Sequence, residues 1–294
     1  MKHVISLIAG AGLAAAVPLQ SRATNSYFFT FGNSYTMTSF DVTGAQPSAG
    51  NPMGNPTLGT GTTTGGVNWV GELTTVNNAS LVLSYNLAVG GASLDNSLIP
   101  TNTKEDMVSQ VASFEKAYGD KPDSAPWSSD NGVFGFWIGI NDIGWAWSST
   151  DPDVLIPKIM AQYKSLAENI YAKGGRKFLF LNVPPTSRAP QISGQGADVA
   201  KGHAAWLAAF NNALKSMVNE FIAENSGTKT VLYDSWTFMT EVLDAPTTYG
   251  FPDATCVNAD GATCVWWDDY HPGHKYHKLQ AADMKQHLQS LGAW

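Results

Sequence analysis

Residues 27–34 read YFFTFGNS, from Tyr27 to Ser34. The run is short, apolar at every position but Thr30 as far as Phe31, and closed by Gly32. That is how a parallel strand covered on both faces reads, since no face is left to alternate with polar residues. A serine just past such a strand, in a turn that begins with glycine, can present its hydroxyl to a cleft. Taken alone, a serine there is more often a helix N-cap, so the rest of the chain must decide.

Four further segments read the same way: Leu83–Val89 (LSYNLAV), Val133–Ile138 (VFGFWI), Lys177–Val183 (KFLFLNV) and Thr230–Asp234 (TVLYD). Between them lie helical patterns. Val154–Lys173 carries apolar residues at helical spacing and stops at Gly174-Gly175. Asp198–Glu224 places Trp206, Phe210, Leu214, Met217, Val218 and Phe221 on one stripe, read as core packing. Pro272–Leu291 reads as a terminal helix with proline in its first turn. Strands alternating with helices predict an α/β fold, a three-layer α/β/α sandwich around a mostly five-stranded parallel sheet. In such sheets ligands bind beyond the carboxyl ends of the strands. Gly44–Gly66 has neither period and is a loop, either at the rim of that site or a plain surface insertion.

Composition bounds the class. With 294 residues, 44% hydrophobic and 14% charged, the chain can bury a large core. Lys2 and His3 precede a small apolar run, Val4–Val17, with Ser21 and Ala23 placed for cleavage after Ala23. This predicts an export signal at 1–23, a single domain over 24–294 and a secreted, extracellular protein; the run is short for a membrane anchor. Loss of Lys2 and Arg22 would take the formal charge from −7 to −9. An acidic mature chain argues against nucleic acid or anionic membrane as the partner. A monomer is the default expectation. Cys256 and Cys264, eight positions apart, are expected to close a small disulfide loop in an oxidising compartment, and Asn78-Ala79-Ser80 is an acceptor sequon for glycosylation.

Residues with chemistry in them follow the strands. After the first come Gly32-Asn33-Ser34; after the second, Gly90-Gly91, which let backbone N–H groups approach a ligand closely. After the third come Asn141, whose amide can donate into the cleft, and Asp142, read as a helix cap. Near the C-terminus Asp268 stands three residues before His271, where a carboxylate can bond the ring Nδ1 and leave Nε2 to accept a serine proton. The strings TFGNSYT, YNLAVGGAS, FWIGINDIG and WWDDYHPG together resemble the GDSL, or SGNH, hydrolase family, and within it the fungal acetylesterases of carbohydrate esterase family sixteen. Ser34, Gly91, Asn141 and His271 match the four residues that name the family, and Asp268 matches its acid. The family usually has Asp where this chain has Asn33.

The resemblance implies a flavodoxin-like sheet and a serine esterase without metal or organic cofactor. It implies a Ser34-His271-Asp268 triad and an oxyanion hole formed by the Ser34 and Gly91 N–H groups and the Asn141 amide. Expected substrates are small-molecule or oligosaccharide esters, chiefly acetyl groups on plant-polysaccharide fragments. A longer-chain lipase or lysophospholipase on the same fold is the alternative, and a non-catalytic sugar-binding protein is a third. His271, His274 and His277 also fall at spacings of three, as zinc ligands on a helix can, but Pro272-Gly273 directly after His271 disfavours that, and His274 and His277 read as helix-surface residues. Trp145 and Trp147 are expected to flank the cleft, where sugars stack on aromatics.

Overall fold

A computed structural model describes residues 25–294; the export signal expected at 1–23 lies outside the described residues. In chain order the elements are β1 (Ser26–Gly32), α1 (Trp69–Thr75), β2 (Val82–Asn86), α2 (Met107–Tyr118), β3 (Gly132–Trp137), α3 (Ile140–Ala146), α4 (Pro152–Ala172), β4 (Lys177–Leu181), α5 (Pro190–Ser193), α6 (Ala197–Glu224), β5 (Lys229–Tyr233), α7 (Ser235–Asp244) and α8 (His274–His287). The five strands form one parallel sheet in the order β2-β1-β3-β4-β5. The crossovers put helices on both faces, with α2, α4 and α6 on one and α1 and α8 on the other. This is the expected α/β sandwich. The chain reverses its winding direction between β1 and β3, so their carboxyl ends flank the crevice where such sheets bind ligands.

Side-chain size divides the two faces. Register sets Tyr85, Phe29, Phe134 and Phe178 side by side across four strands, and Phe31, Phe136 and Phe180 in the next row. Neighbouring rings stack, with centroids 4.9 Å apart for Phe29–Tyr85, 5.0 Å for Phe31–Phe136 and 5.2 Å for Phe136–Phe180. Phe114, Tyr163 and Phe221 of the covering helices meet these rows edge-on. The opposite face carries smaller residues, Thr30, Ser84 and Gly135 among them, and admits Phe28 against Trp69 and Trp294.

Two expectations need correction. The terminal helix begins at His274, not Pro272, because Gly273 N–H donates to the Val265 carbonyl (2.8 Å) and Trp266 pairs with Pro272, which holds both residues in the preceding loop. It ends at His287, and a single 3₁₀ turn covers Gln289–Leu291. The second strand stops at Asn86, after which the chain leaves the ladder toward Gly90-Gly91. Cys256 and Cys264 are joined by a disulfide with their Cα atoms 5.5 Å apart. Asn78 is half-buried in the turn after α1, its amide donating to the Ser80 carbonyl at 2.8 Å. Among the described residues no helix is long and apolar enough to cross a membrane.

Phe136 is fully buried between two stacked rings. Phe136→Ala is expected to destabilise the fold by about 3–5 kcal/mol through lost burial and an unfilled cavity, read as a lowered midpoint of guanidinium unfolding; a change of a few tenths would show that the ladder is not the core.

Candidate active site

β1 delivers Ser34 through a turn that tolerates only glycine at its start. Gly32 has φ +153°, and a Cβ there would lie 2.3 Å from the Trp137 carbonyl oxygen. The buried side chain of Gln110 on α2 clamps the same peptide from both sides: Gly32 N–H donates to Oε1 and Nε2 donates to the Gly32 carbonyl, each at 2.8 Å. Asn33 is buried, and its Oδ1 accepts from Tyr35 N–H (3.1 Å) while its carbonyl accepts from Thr36 and Met37 N–H. An amide oxygen therefore closes this turn at the position where the family usually has Asp. Thr63 Oγ1 donates to the Ser34 carbonyl at 2.7 Å, which places the Gly44–Gly66 loop at the rim of this site and decides between its two readings.

The Ser34 hydroxyl lies 2.8 Å from His271 Nε2, and His271 Nδ1 lies 2.8 and 3.0 Å from the two Asp268 oxygens. The tautomer that satisfies both neighbours carries its proton on Nδ1, leaving Nε2 as acceptor of the serine hydroxyl. Asp268 also accepts from the Tyr270 and His271 N–H groups at 2.8 and 2.6 Å. Burial raises its carboxyl, but the bonds from the His271 ring and from these N–H groups outweigh burial and hold it below the ordinary value, so it is ionised at neutral pH. The loop carrying the pair follows directly on the disulfide.

Opposite lies a set of donors. Gly91 has φ +80°, a left-handed conformation that favours glycine. Among the described residues neither the Ser34 nor the Gly91 N–H finds a partner, and both residues border an open cleft of about 740 Å³. Asn141, in the first turn of α3, gives one amide hydrogen to the Ala92 carbonyl (2.8 Å) and keeps the second. Asp142 is not the cap expected of it: the N-cap of α3 is Gly139, without a side-chain bond. It is fully buried, and its Oδ1 accepts from Leu94 N–H at 2.9 Å. Asn141 and Asp142 thus tie α3 to the Gly91 loop from adjacent positions, a joint that the sequence pattern did not reveal. A serine oxygen with a base, facing oriented N–H groups, is an arrangement suited to acyl transfer.

Trp145 and Trp147 line the same cleft with Gln191, Gln195 and Asp269. Trp145 is 49% exposed, whereas Trp147 is half-buried against Gly202 and the His203 ring. The three histidines diverge. His274 is half-buried against Gly66 and Gly261, and His277 is completely buried between Tyr35 and Tyr276, which corrects their reading as surface residues.

A family model described as GDSL-like lipase/acylhydrolase matches residues 28–284. The chain belongs to that family, and with it is a carboxylic ester hydrolase. An acetylesterase of Thermothelomyces thermophilus is 41% identical over 281 residues, 94% of this chain and 93% of that protein. An acetylesterase of Hypocrea jecorina is 23% identical and covers 84% of each chain. Among solved structures, an acetylxylan esterase of Geobacillus stearothermophilus shares the fold with a TM-score of 0.52 at 14% identity, over 92% of this chain and 95% of that one.

Burial pushes the Asp142 carboxyl up to about 6, against the opposing pull of its bond from Leu94. The folded protein therefore holds that proton more tightly than the unfolded chain. Stability from this group is complete below about pH 4 and is lost as pH rises through about 6, a change of about 3 kcal/mol. Unfolding free energies of wild type and Asp142→Asn across this range should converge or diverge by that amount; parallel curves would show that Asp142 does not titrate there.

Proposed function

We propose that this chain is a secreted acetylesterase that removes acetyl groups from plant-polysaccharide oligosaccharides, with Ser34 as nucleophile, His271 as base and Asp268 as its partner. The observation that carries the reading is the unbroken hydrogen-bonded relay from Ser34 through His271 to an ionised Asp268, facing unpaired N–H groups across one cleft.

His271 Nε2 takes the Ser34 proton as Oγ attacks the ester carbonyl. The carbonyl oxygen becomes an oxyanion held by the Ser34 and Gly91 N–H groups and the remaining Asn141 amide hydrogen. Asp268 stabilises the imidazolium. Collapse expels the sugar alkoxide, which takes its proton from His271, and leaves acetyl-Ser34. Water then attacks with His271 again as base, and acetate leaves.

Acetylated sugars fit the cleft better than long acyl chains do. Its walls combine Gln191, Gln195, Ser148 and Asp269 with one exposed indole, Trp145. A sugar ring has an apolar face for the indole and hydroxyls for the amides. The names of the two acetylesterase relatives point the same way. Trp145 is assigned as the stacking platform, with Trp147 as the packed residue behind it. Export would place the enzyme where such polymers are, and an acidic chain suits a neutral substrate.

Ser34→Ala should abolish nearly all hydrolysis of p-nitrophenyl acetate, and Asn141→Ala should lower kcat on the order of a hundredfold. Across p-nitrophenyl esters the rate should peak at acetate; a peak at long chains would replace this reading with the lipase-type one, and full activity in Ser34→Ala would remove Ser34 from the reaction.

A further inference from the structure

We propose that a second groove, on the same edge of the sheet, is a distal subsite that holds the neutral sugar chain whose acetyl group lies at Ser34. The groove has a volume of about 720 Å³ and lies over the carboxyl ends of β4 and β5, between α6 and α7. It shares no lining residue with the first cleft. This inference rests on the reading of the protein as a carbohydrate esterase.

Three observations support it. The first is the chemistry of the walls. Trp236, in the first turn of α7, is 42% exposed and faces Asn212 and Lys215, both exposed on α6, with Leu207 and Leu232 at the floor. Among the described residues Trp236 and Asn212 enter hydrogen bonds only through their backbone, as in the bonds that their carbonyls accept from Thr240 and Ser216. An indole face and free amide and ammonium donors over an apolar floor suit a pyranose ring, with its C–H face and its rim of hydroxyls. In the wall Asp234 stands with Lys215 and with Arg188, the latter paired with Asp244, and the net charge of −7 disfavours a polyanion.

The second is rigidity. Asn182, after β4, donates to Asp234 (2.7 Å) and accepts from Trp236 N–H (2.9 Å), while Asp234 caps α7 through Thr237 N–H (3.0 Å). The indole is therefore carried by a fixed helix start, so little ordering opposes binding.

The third is continuity. A single segment, residues 185–195, borders both depressions: Pro185, Ser187 and Arg188 line the groove, and Gln191, Ile192 and Gln195 line the cleft. It is anchored on one side by Arg188 to Asp244 and on the other by Gln191 N–H to the Asp269 carbonyl at 2.8 Å. A chain crossing this segment joins the two sites. From β1 to β5 there are three strand steps, roughly 14 Å at the usual inter-strand spacing, farther than a disaccharide reaches.

The test compares wild type with Trp236→Ala and Asn212→Ala on p-nitrophenyl acetate, acetylated xylobiose and acetylated xylohexaose. Both side chains are exposed, so folding should be unaffected. Trp236→Ala is expected to raise KM for the hexasaccharide about fivefold to tenfold, or about 1–1.4 kcal/mol, with kcat and both smaller substrates unchanged; Asn212→Ala should act in the same direction. Equal KM at every length, or equal losses on all three substrates, would overturn the subsite. If wild type hydrolyses p-nitrophenyl acetate but no acetylated sugar, the carbohydrate reading fails, and calorimetric titration of Ser34→Ala with unacetylated xylohexaose then decides the groove: binding weakened by adding Trp236→Ala supports it, binding absent or unchanged overturns it.

Discussion

The site depends on how closely the turn after β1 passes β3. With Gly32 against the Trp137 carbonyl, no side chain fits between them, and the chain must turn at that point. Gln110 then fixes Gly32 by accepting from its N–H and donating to its carbonyl. Because β1 lies between β2 and β3, the residues after all three strands converge on one place. Ser34, Gly91 and Asn141 are distant in sequence but adjacent for this reason. The aromatic rows beneath hold the strand spacing, and thus the distances above, against thermal distortion.

Convergence alone does not aim the donors. Asn141 and Asp142 are consecutive in α3, and each bonds a different backbone group of the Gly91–Leu94 segment: the Ala92 carbonyl and the Leu94 N–H. The loop that presents Gly91 and the helix that presents Asn141 therefore move as one unit. Donors fixed before substrate arrives need no reorganisation as charge develops, which is where most of such a site's effect on rate arises. A buried carboxyl is a costly way to make that joint, and its raised protonation range is the consequence.

The parts legible in the sequence were those with a local signal. β1 and β3 declared themselves by continuous apolar runs ending in glycine, and Asp268 by its spacing from His271. Asp142 was not legible, because a cap and a buried strut look alike until the partner, Leu94, is known. α7 was missed because it starts directly after β5 with no intervening loop. His277 was misread because its helix is polar over most of its length, so the narrow face buried against α1 left little periodicity to detect. The groove at Trp236 combines residues from the segment after β4, from β5, α6 and α7, and no linear pattern connects them.

The buried His277 has its own logic. It lies behind Tyr35, whose ring also packs on His271. Burial, then the neighbouring His271 and His274, push its proton affinity down to about 3, so it is neutral at neutral pH. Under the proposed acyl-transfer reading, a charged imidazole there would oppose the imidazolium that His271 would become. A neutral one fills the volume behind the His271 ring without that repulsion, while Asp268 sets a carboxylate against the ring's Nδ1. The charge balance around His271 is thus set by burial on one side and by hydrogen bonds on the other. A shared fold at 14% identity shows the architecture alone, and which ester is taken depends on the side chains that line the cleft.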